Sequence, residues 1–303
     1  MRILGQTGGA TQFIELVQAS IEVKKVFDFT DLVVTSASAI ASLPFVIGMY
    51  EELIEEGENL EVKDFMKVSP TNSKGGFSWR AIFRAIRSFL PFTKVNSFGV
   101  QDVSKLLKKY VTPEVFQQYK EGNYPNIHVY YVDPDTKTPC IENAKNCTYQ
   151  EFIDLVQTSS KIQPMVEHGI FRDKPGVDGG MYLSGAVGYF IEEGYFEKEE
   201  VEEVYSIYVW TNPNPKPESK WKNNIATNIK GAIDSFKAGG KWAFPRHEYW
   251  FCKANNIPLT QLFCPDLHDT TYDLDSLKEN GLKTKEVVKK QLAGKILLSK
   301  DEK

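Results

Sequence analysis

Cysteine and histidine are both scarce in this chain, with four of each in 303 residues. Cys140, Cys147, Cys252 and Cys264 show no Cys-x-x-Cys spacing, which argues against zinc and against a disulfide scaffold and favours a reduced intracellular compartment. His247-Glu248 lacks the second histidine of a zincin helix, and His128, His168 and His268 stand in no triad context either. Neither Gly-x-Gly-x-x-Gly nor Gly-Lys-Ser/Thr occurs, so both nucleotide fingerprints are missing. The opening Met-Arg-Ile-Leu-Gly carries no basic leader ahead of an apolar core, and a cytoplasmic location is expected. Without secretion, Asn146-Cys147-Thr148 reads as a chance glycosylation pattern. There is no repeat, no low-complexity stretch and no clean linker. A net charge of −4 gives no whole-protein case for nucleic acid. An apolar fraction of 42% with 25% charged residues is that of a globular chain able to bury a sizeable core.

What is present centres on Asp31–Glu51, which holds no charge between its ends. Leu32, Val33 and Val34 read as a short buried strand, and Ile40, Leu43 and Val46 as the apolar positions of a helix beginning at Ala37. The run is long enough to raise a transmembrane helix, but Thr35, Ser36, Ser38, Ser42 and Pro44 fit a strand plus a buried helix better. Between the two elements sits Ser36. A serine at a sharp strand-to-helix turn has the geometry of a nucleophile elbow, with helix N–H groups beside it to meet an oxyanion. Upstream, Arg2-Ile-Leu predicts a strand, Gly5-Gln6-Thr7-Gly8-Gly9-Ala10 a small-residue loop, and Phe13, Leu16, Val17 and Ile21 a helix. Such a loop turns its N–H groups toward an anion, or it is simply a tight strand-to-helix turn.

Further on, residues 51–64 are acidic and read as a solvated helix end and loop. The sign then reverses: between Asp64 and Asp102 lie Lys67, Lys74, Arg80, Arg84, Arg87 and Lys94 and no acid. Within it, Phe77–Leu90 is amphipathic, with Arg80, Arg84 and Arg87 on one face and Trp79, Ile82, Phe83, Ile86 and Leu90 on the other. That helix either meets anionic lipid headgroups or packs its apolar face on the core. Helices are expected between Gly99 and Asn123 and after Thr148, and strands at Ile127–Val132, Val204–Trp210 and Ile257–Phe263. Asn212–Pro217 reads as a loop, Lys220–Phe236 as an amphipathic helix and Leu282–Leu297 as a closing helix. Within Gly176-Val177-Asp178-Gly179-Gly180, Asp-Gly-Gly reads as an ordinary turn that carries an acid.

Taken in order, these motifs resemble the patatin-like phospholipases. Val34-Thr35-Ser36-Ala37-Ser38-Ala39 is similar to the family's Gly-Thr-Ser-Ala-Gly-Ala elbow, with Val34 and Ser38 in place of the glycines. The opening loop resembles the Gly-Gly-Gly-x-Arg/Lys-Gly oxyanion loop, lacking the basic residue, and Asp178-Gly179-Gly180 matches the Asp-Gly-Gly/Ala motif. Thr158–Pro164 looks like a version of Ala-Ser-x-x-Ile-Pro. The resemblance implies an α/β, three-layer fold with a central mostly parallel sheet between helices. It implies a single domain over 1–303, with a core over 1–212 and a helix–strand–helix portion over 213–303. It further implies a Ser36–Asp178 dyad, oxyanion and substrate contacts at Thr7, Gly8, Gly9 and Ala37, and hydrolysis of a lipid or phospholipid ester. Neither metal nor cofactor is required by that chemistry, and Arg80, Arg84 and Arg87 would supply peripheral membrane contact. An aspartate is a weak base, so the dyad needs a pocket that shields it from water. The other reading keeps the fold and loses the chemistry: a lipid-binding or interaction module with an eroded elbow. Head group, acyl chain and oligomeric state are not legible in the residues.

Overall fold

The computed structural model of the chain describes residues 1–8, 12–69, 78–88, 97–162, 165–183, 186–209, 245–265 and 277–301. The expected loop at 212–217 and helix at 220–236 lie outside these residues. In chain order the elements are β1 (Arg2–Gln6), α1 (Phe13–Lys24), β2 (Asp31–Val34), α2 (Ala37–Val46), α3 (Tyr50–Glu58), α4 (Val62–Phe65) and β3 (Met66–Val68). There follow α5 (Trp79–Ser88), β4 (Val100–Gln101), α6 (Ser104–Tyr110), α7 (Pro113–Glu121), β5 (Asn126–Val132), β6 (Pro139–Asn143) and α8 (Tyr149–Ser159). The rest are β7 (Gly169–Phe171), β8 (Lys174–Asp178), α9 (Ala186–Glu192), β9 (Glu203–Tyr208), α10 (245–254), β10 (Leu259–Phe263) and α11 (Leu277–Asp301).

Strands β10, β9, β1, β2 and β5 lie side by side and run parallel, while β6, β7 and β8 complete an eight-stranded sheet through antiparallel pairs. A parallel sheet is buried on both faces, so its strands are apolar throughout. The strand period of two sends neighbouring residues to opposite layers. Leu4, Leu32, Val34 and Val129 join the core formed with α1, α2, α3, α8 and α11. Ile3, Val33 and Tyr130 join a second core with Val187 and Phe190 of α9 and Cys252 of α10. The result is an α/β fold of three layers, as the resemblance of the motifs implies. Among the described residues no helix is long and apolar enough to cross a membrane.

Several elements differ from the sequence reading. The acidic stretch after Tyr50 forms a helix of its own, α3, rather than a helix end and loop. Its anchors are Leu53 and Gly57, both buried, and a Cβ on Gly57 would lie 2.9 Å from Ile14 Cδ1 of α1. Two anchors in nine residues leave little periodicity to read. Strands β3, β4, β6, β7 and β8 were not anticipated, because two to five residues of mixed polarity become strands only when a partner pairs with them. By contrast α8 starts where its sequence says, at a capping box in which Thr148 and Glu151 satisfy each other's backbone N–H.

Candidate active site

Ser36 occupies the turn between β2 and α2 with φ 58° and ψ −128°. A non-glycine residue at that positive φ is strained by about 1–3 kcal/mol and persists only where its surroundings over-determine it. Here they do. The Ser36 N–H donates to both the carbonyl and the hydroxyl oxygen of Ser159, each at 3.1 Å. Thr35 Oγ1 donates to the Tyr130 carbonyl at 3.0 Å, and the Ser159 hydroxyl reaches the same carbonyl at 2.7 Å. Ser38 closes the turn from the other side, accepting from Thr35 N–H at 3.0 Å and donating to Thr35 O at 2.7 Å. A hydroxyl thus fastens the bend where the resembling motif has a glycine. Val34 finds its room inside the main core, fully buried.

The sheet accounts for how Asp178 approaches this turn. On β5, Val129 pairs with both Val34 of β2 and Glu142 of β6, whereas Tyr131 pairs with both Cys140 of β6 and Asp178 of β8. One edge of a strand takes one neighbour at each position. With β6 along one edge, β2 and β8 must share the other, one after the other. The chain therefore leaves the β5 edge at Val34 and Asp178 takes up the same edge beside Tyr131. Asp178 is buried, its N–H donates to Lys161 O at 2.9 Å, and its Oδ1 accepts from Gly180 N–H at 2.8 Å. Burial raises the Tyr130 phenol well above its usual range, and the nearby Asp178 charge raises it further.

Gly8 packs against Ser36 on one side and against Gly180 of the Asp178 turn on another. A Cβ built on it would stand 2.7 Å from Ser36 Cβ and 3.4 Å from Ser36 Oγ, and one on Gly180 would stand 3.2 Å from Gly8 Cα and from Asp178 Oδ1. A Cβ on Gly8 would collide with the elbow and one on Gly180 would crowd the loop after β1, so glycine at Gly8 sets how closely these segments meet. Of the expected oxyanion donors, Thr7 is committed elsewhere: its N–H donates to Ile207 O and its hydroxyl accepts from Val209 N–H, both at 3.1 Å. Thr7 therefore ties the loop to β9. Gly9 lies outside the described residues. Ala37 opens α2, whose first backbone bonds run from Ala39 and Ile40 to Ser36 O, so its N–H is one of the groups a helix N-terminus leaves for an outside acceptor.

Beside Ser36 opens a narrow cavity of about 40 Å³, lined by Phe13, Ala37, Ile40, Leu60, Phe65, Met66, Val103, Leu106 and Ile162, with Gln101 and Ser160 as further polar neighbours. One wall is the β3–β4 pair, held by Lys161 Nζ to Gln101 O at 2.5 Å and by the Lys67–Asp102 ion pair at 2.5 Å. Burial pushes the Asp102 carboxyl up, but Lys67 and the Ser104 hydroxyl and N–H outweigh it and bring it down to about 2.

The remaining expected residues lie apart from Ser36. On α5, Arg84 donates to the carbonyl and hydroxyl of Ser97, each at 3.2 Å, while Arg80 and Arg87 are exposed. The large apolar residues of that helix stand away from the core, Trp79 84% exposed and Phe83 62%, and only the small Ala81 among its described apolar residues is buried. His128 binds Asp31 at 2.9 Å and Tyr195 at 3.0 Å, at the far end of β2 from Ser36. Among the described residues no three His, Cys, Asp or Glu side chains gather as a metal site would require. Sequence reasoning did not assign Ser159 and Gly180 their parts in the site. The serine-rich stretch after α8 and the second glycine of Asp-Gly-Gly were the signals available for them.

No protein-family model matches the chain, and no curated protein matches it significantly. Among solved structures the chain is similar to the crystal structure of VipD from Legionella pneumophila, with 11% identity over 97% of this chain and 67% of that one and a TM-score of 0.49.

Proposed function

We propose that the protein is a lipid acyl hydrolase of the phospholipase A type, with Ser36 as nucleophile and Asp178 as base. The observation that carries this reading is the strained backbone of Ser36, fastened at a strand-to-helix turn and opening on an apolar slot. Strain of this kind concentrates at reactive groups. In the proposed reaction Asp178 takes the Ser36 proton as Oγ attacks the acyl carbon. The N–H groups of Gly8 and Ala37 hold the resulting oxyanion. Asp178 then gives the proton to the departing alcohol, leaving an acyl-Ser36 ester. Water, deprotonated by Asp178, attacks that ester, and the proton returns to Ser36 Oγ as the fatty acid leaves. The slot's apolar lining suits an acyl chain, and burial of Asp178 meets the need for a shielded base.

A fluorophosphonate probe tests the reading directly, since it labels Ser36 only when the hydroxyl is activated. Ser36→Ala and Asp178→Asn should each abolish hydrolysis of a short-chain ester, and the double variant should lose little more, because members of one catalytic unit are non-additive. Most of the activity surviving in either single variant would refute the dyad. A second reading, a lipid-binding or interaction module without chemistry, draws on the size of the slot. A volume of about 40 Å³ is far below the roughly 300 Å³ at which ligand pockets begin, so an acyl chain enters only if the walls move. An unlabelled Ser36 in a folded, lipid-binding protein would favour it.

A further inference from the structure

Helix α5 is fastened the opposite way round from an ordinary surface helix. Its small residue Ala81 is fully buried, Ser78 caps its start by accepting from Ala81 N–H at 3.1 Å, and Arg84 is tied back to Ser97. Its large apolar side chains point outward. Trp79, Ile82, Phe83 and Ile86 follow the i, i+3, i+4, i+7 pattern of one helix face and are 84%, 38%, 62% and 60% exposed. Scattered apolar residues at a surface need no explanation, but four on one face of one short helix do.

The charge around this face says what covers it. In the sequence, residues 65–101 contain six lysines and arginines and no aspartate or glutamate, in a chain whose net charge is −4. In the structure Lys67 is paired with Asp102 and Arg84 is tied to Ser97, while Lys74 and Lys94 lie outside the described residues. Arg80 and Arg87 flank the apolar face and are themselves exposed. Aromatic and aliphatic side chains rimmed by arginine fit the headgroup boundary of an anionic bilayer, where rings insert and cations meet phosphate.

We propose that the Trp79–Phe83–Ile86 face of α5 docks the protein on an anionic phospholipid surface, with Arg80 and Arg87 setting the preference for negative lipid. The helix belongs to the excursion between β3 and β4, whose Met66 and Gln101 line the slot at Ser36. Docking would bring the slot to the lipid. That consequence rests on the hydrolase reading; the docking does not.

The test uses the full chain carrying Ser36→Ala, sedimented with phosphatidylcholine vesicles with and without phosphatidylserine at low and high salt. The protein should pellet with the phosphatidylserine vesicles and be released by salt. Trp79→Ala with Phe83→Ala should weaken binding to either lipid by about tenfold or more, and Arg80→Glu with Arg87→Glu should remove the anionic preference. Trp79→Phe should keep binding while cancelling most of the vesicle-induced blue shift of tryptophan emission. These side chains are exposed, so all variants should melt with the parent. Binding unaffected by the Trp79 and Phe83 changes, or no preference for phosphatidylserine, would overturn the proposal. So would concentration-dependent dimerisation lost in the same variant, which would give the face to a second copy. Vesicle binding without fluorophosphonate labelling in the Ser36 protein would sink the hydrolase reading alone.

Discussion

Gly8→Ala separates a site that needs its present spacing from a turn that merely happens to be tight. The added methyl would stand 2.7 Å from Ser36 Cβ and 3.5 Å from Thr35 Cγ2. Carbon atoms in contact prefer about 3.5–4.0 Å, so something must give by roughly 0.8 Å. Ser36 is poorly able to give, because Ser159 holds its N–H and its backbone is already strained. The loop after β1 must back away instead. Overpacking of this kind costs about 1–3 kcal/mol of stability. Misplacing a catalytic group by about 1 Å costs on the order of a hundredfold in rate. Turnover of a short-chain ester should therefore fall about a hundredfold, while the urea-unfolding free energy falls by about 3 kcal/mol at most. Gly294→Ala, where an added Cβ meets nothing within 4 Å, is the matched control and should leave both unchanged or slightly raise stability. A Gly8→Ala protein with normal turnover would refute the placement of Gly8 against the reacting group.

Ser36→Gly should raise the unfolding free energy by about 1 kcal/mol, since glycine adopts φ 58° without strain, whereas Ser36→Ala should not; equal melting of the two would contradict the strain. Val34→Gly, which would restore the glycine of the resembling elbow, should instead cost about 3 kcal/mol in chemical denaturation without raising turnover, because Val34 is fully buried in the main core. Asp102 has a carboxyl at about 2, below its ordinary 3.8. Its contribution is therefore complete above about pH 4 and lost as pH falls through 2, about 1 kcal/mol once screening at the exposed Lys67 is allowed for. An acid titration of stability should show that loss in the parent and not in Asp102→Asn.

The sequence by itself determined the elements whose signal is local. The β-branched run at Leu32–Val34 made a strand, Thr148 and Glu151 began a helix, and a serine between a strand and a small-residue helix made a bend, because each depends on neighbours within a few residues. The three-layer α/β order came from the resemblance of the motifs taken in order, not from the periodicity of any one element. Tertiary structure alone decided which groups meet. Only the pairing of β2 and β8 along one edge of β5 brings Asp178, 142 positions after Ser36 in the chain, toward the elbow. Only packing against β9 took the Thr7 N–H out of use. The direction of α5 was equally beyond periodicity. An amphipathic pattern gives two faces, but which one turns outward is set by the anchors that hold the helix, and here Ala81 and Ser97 hold it with the apolar face in solvent.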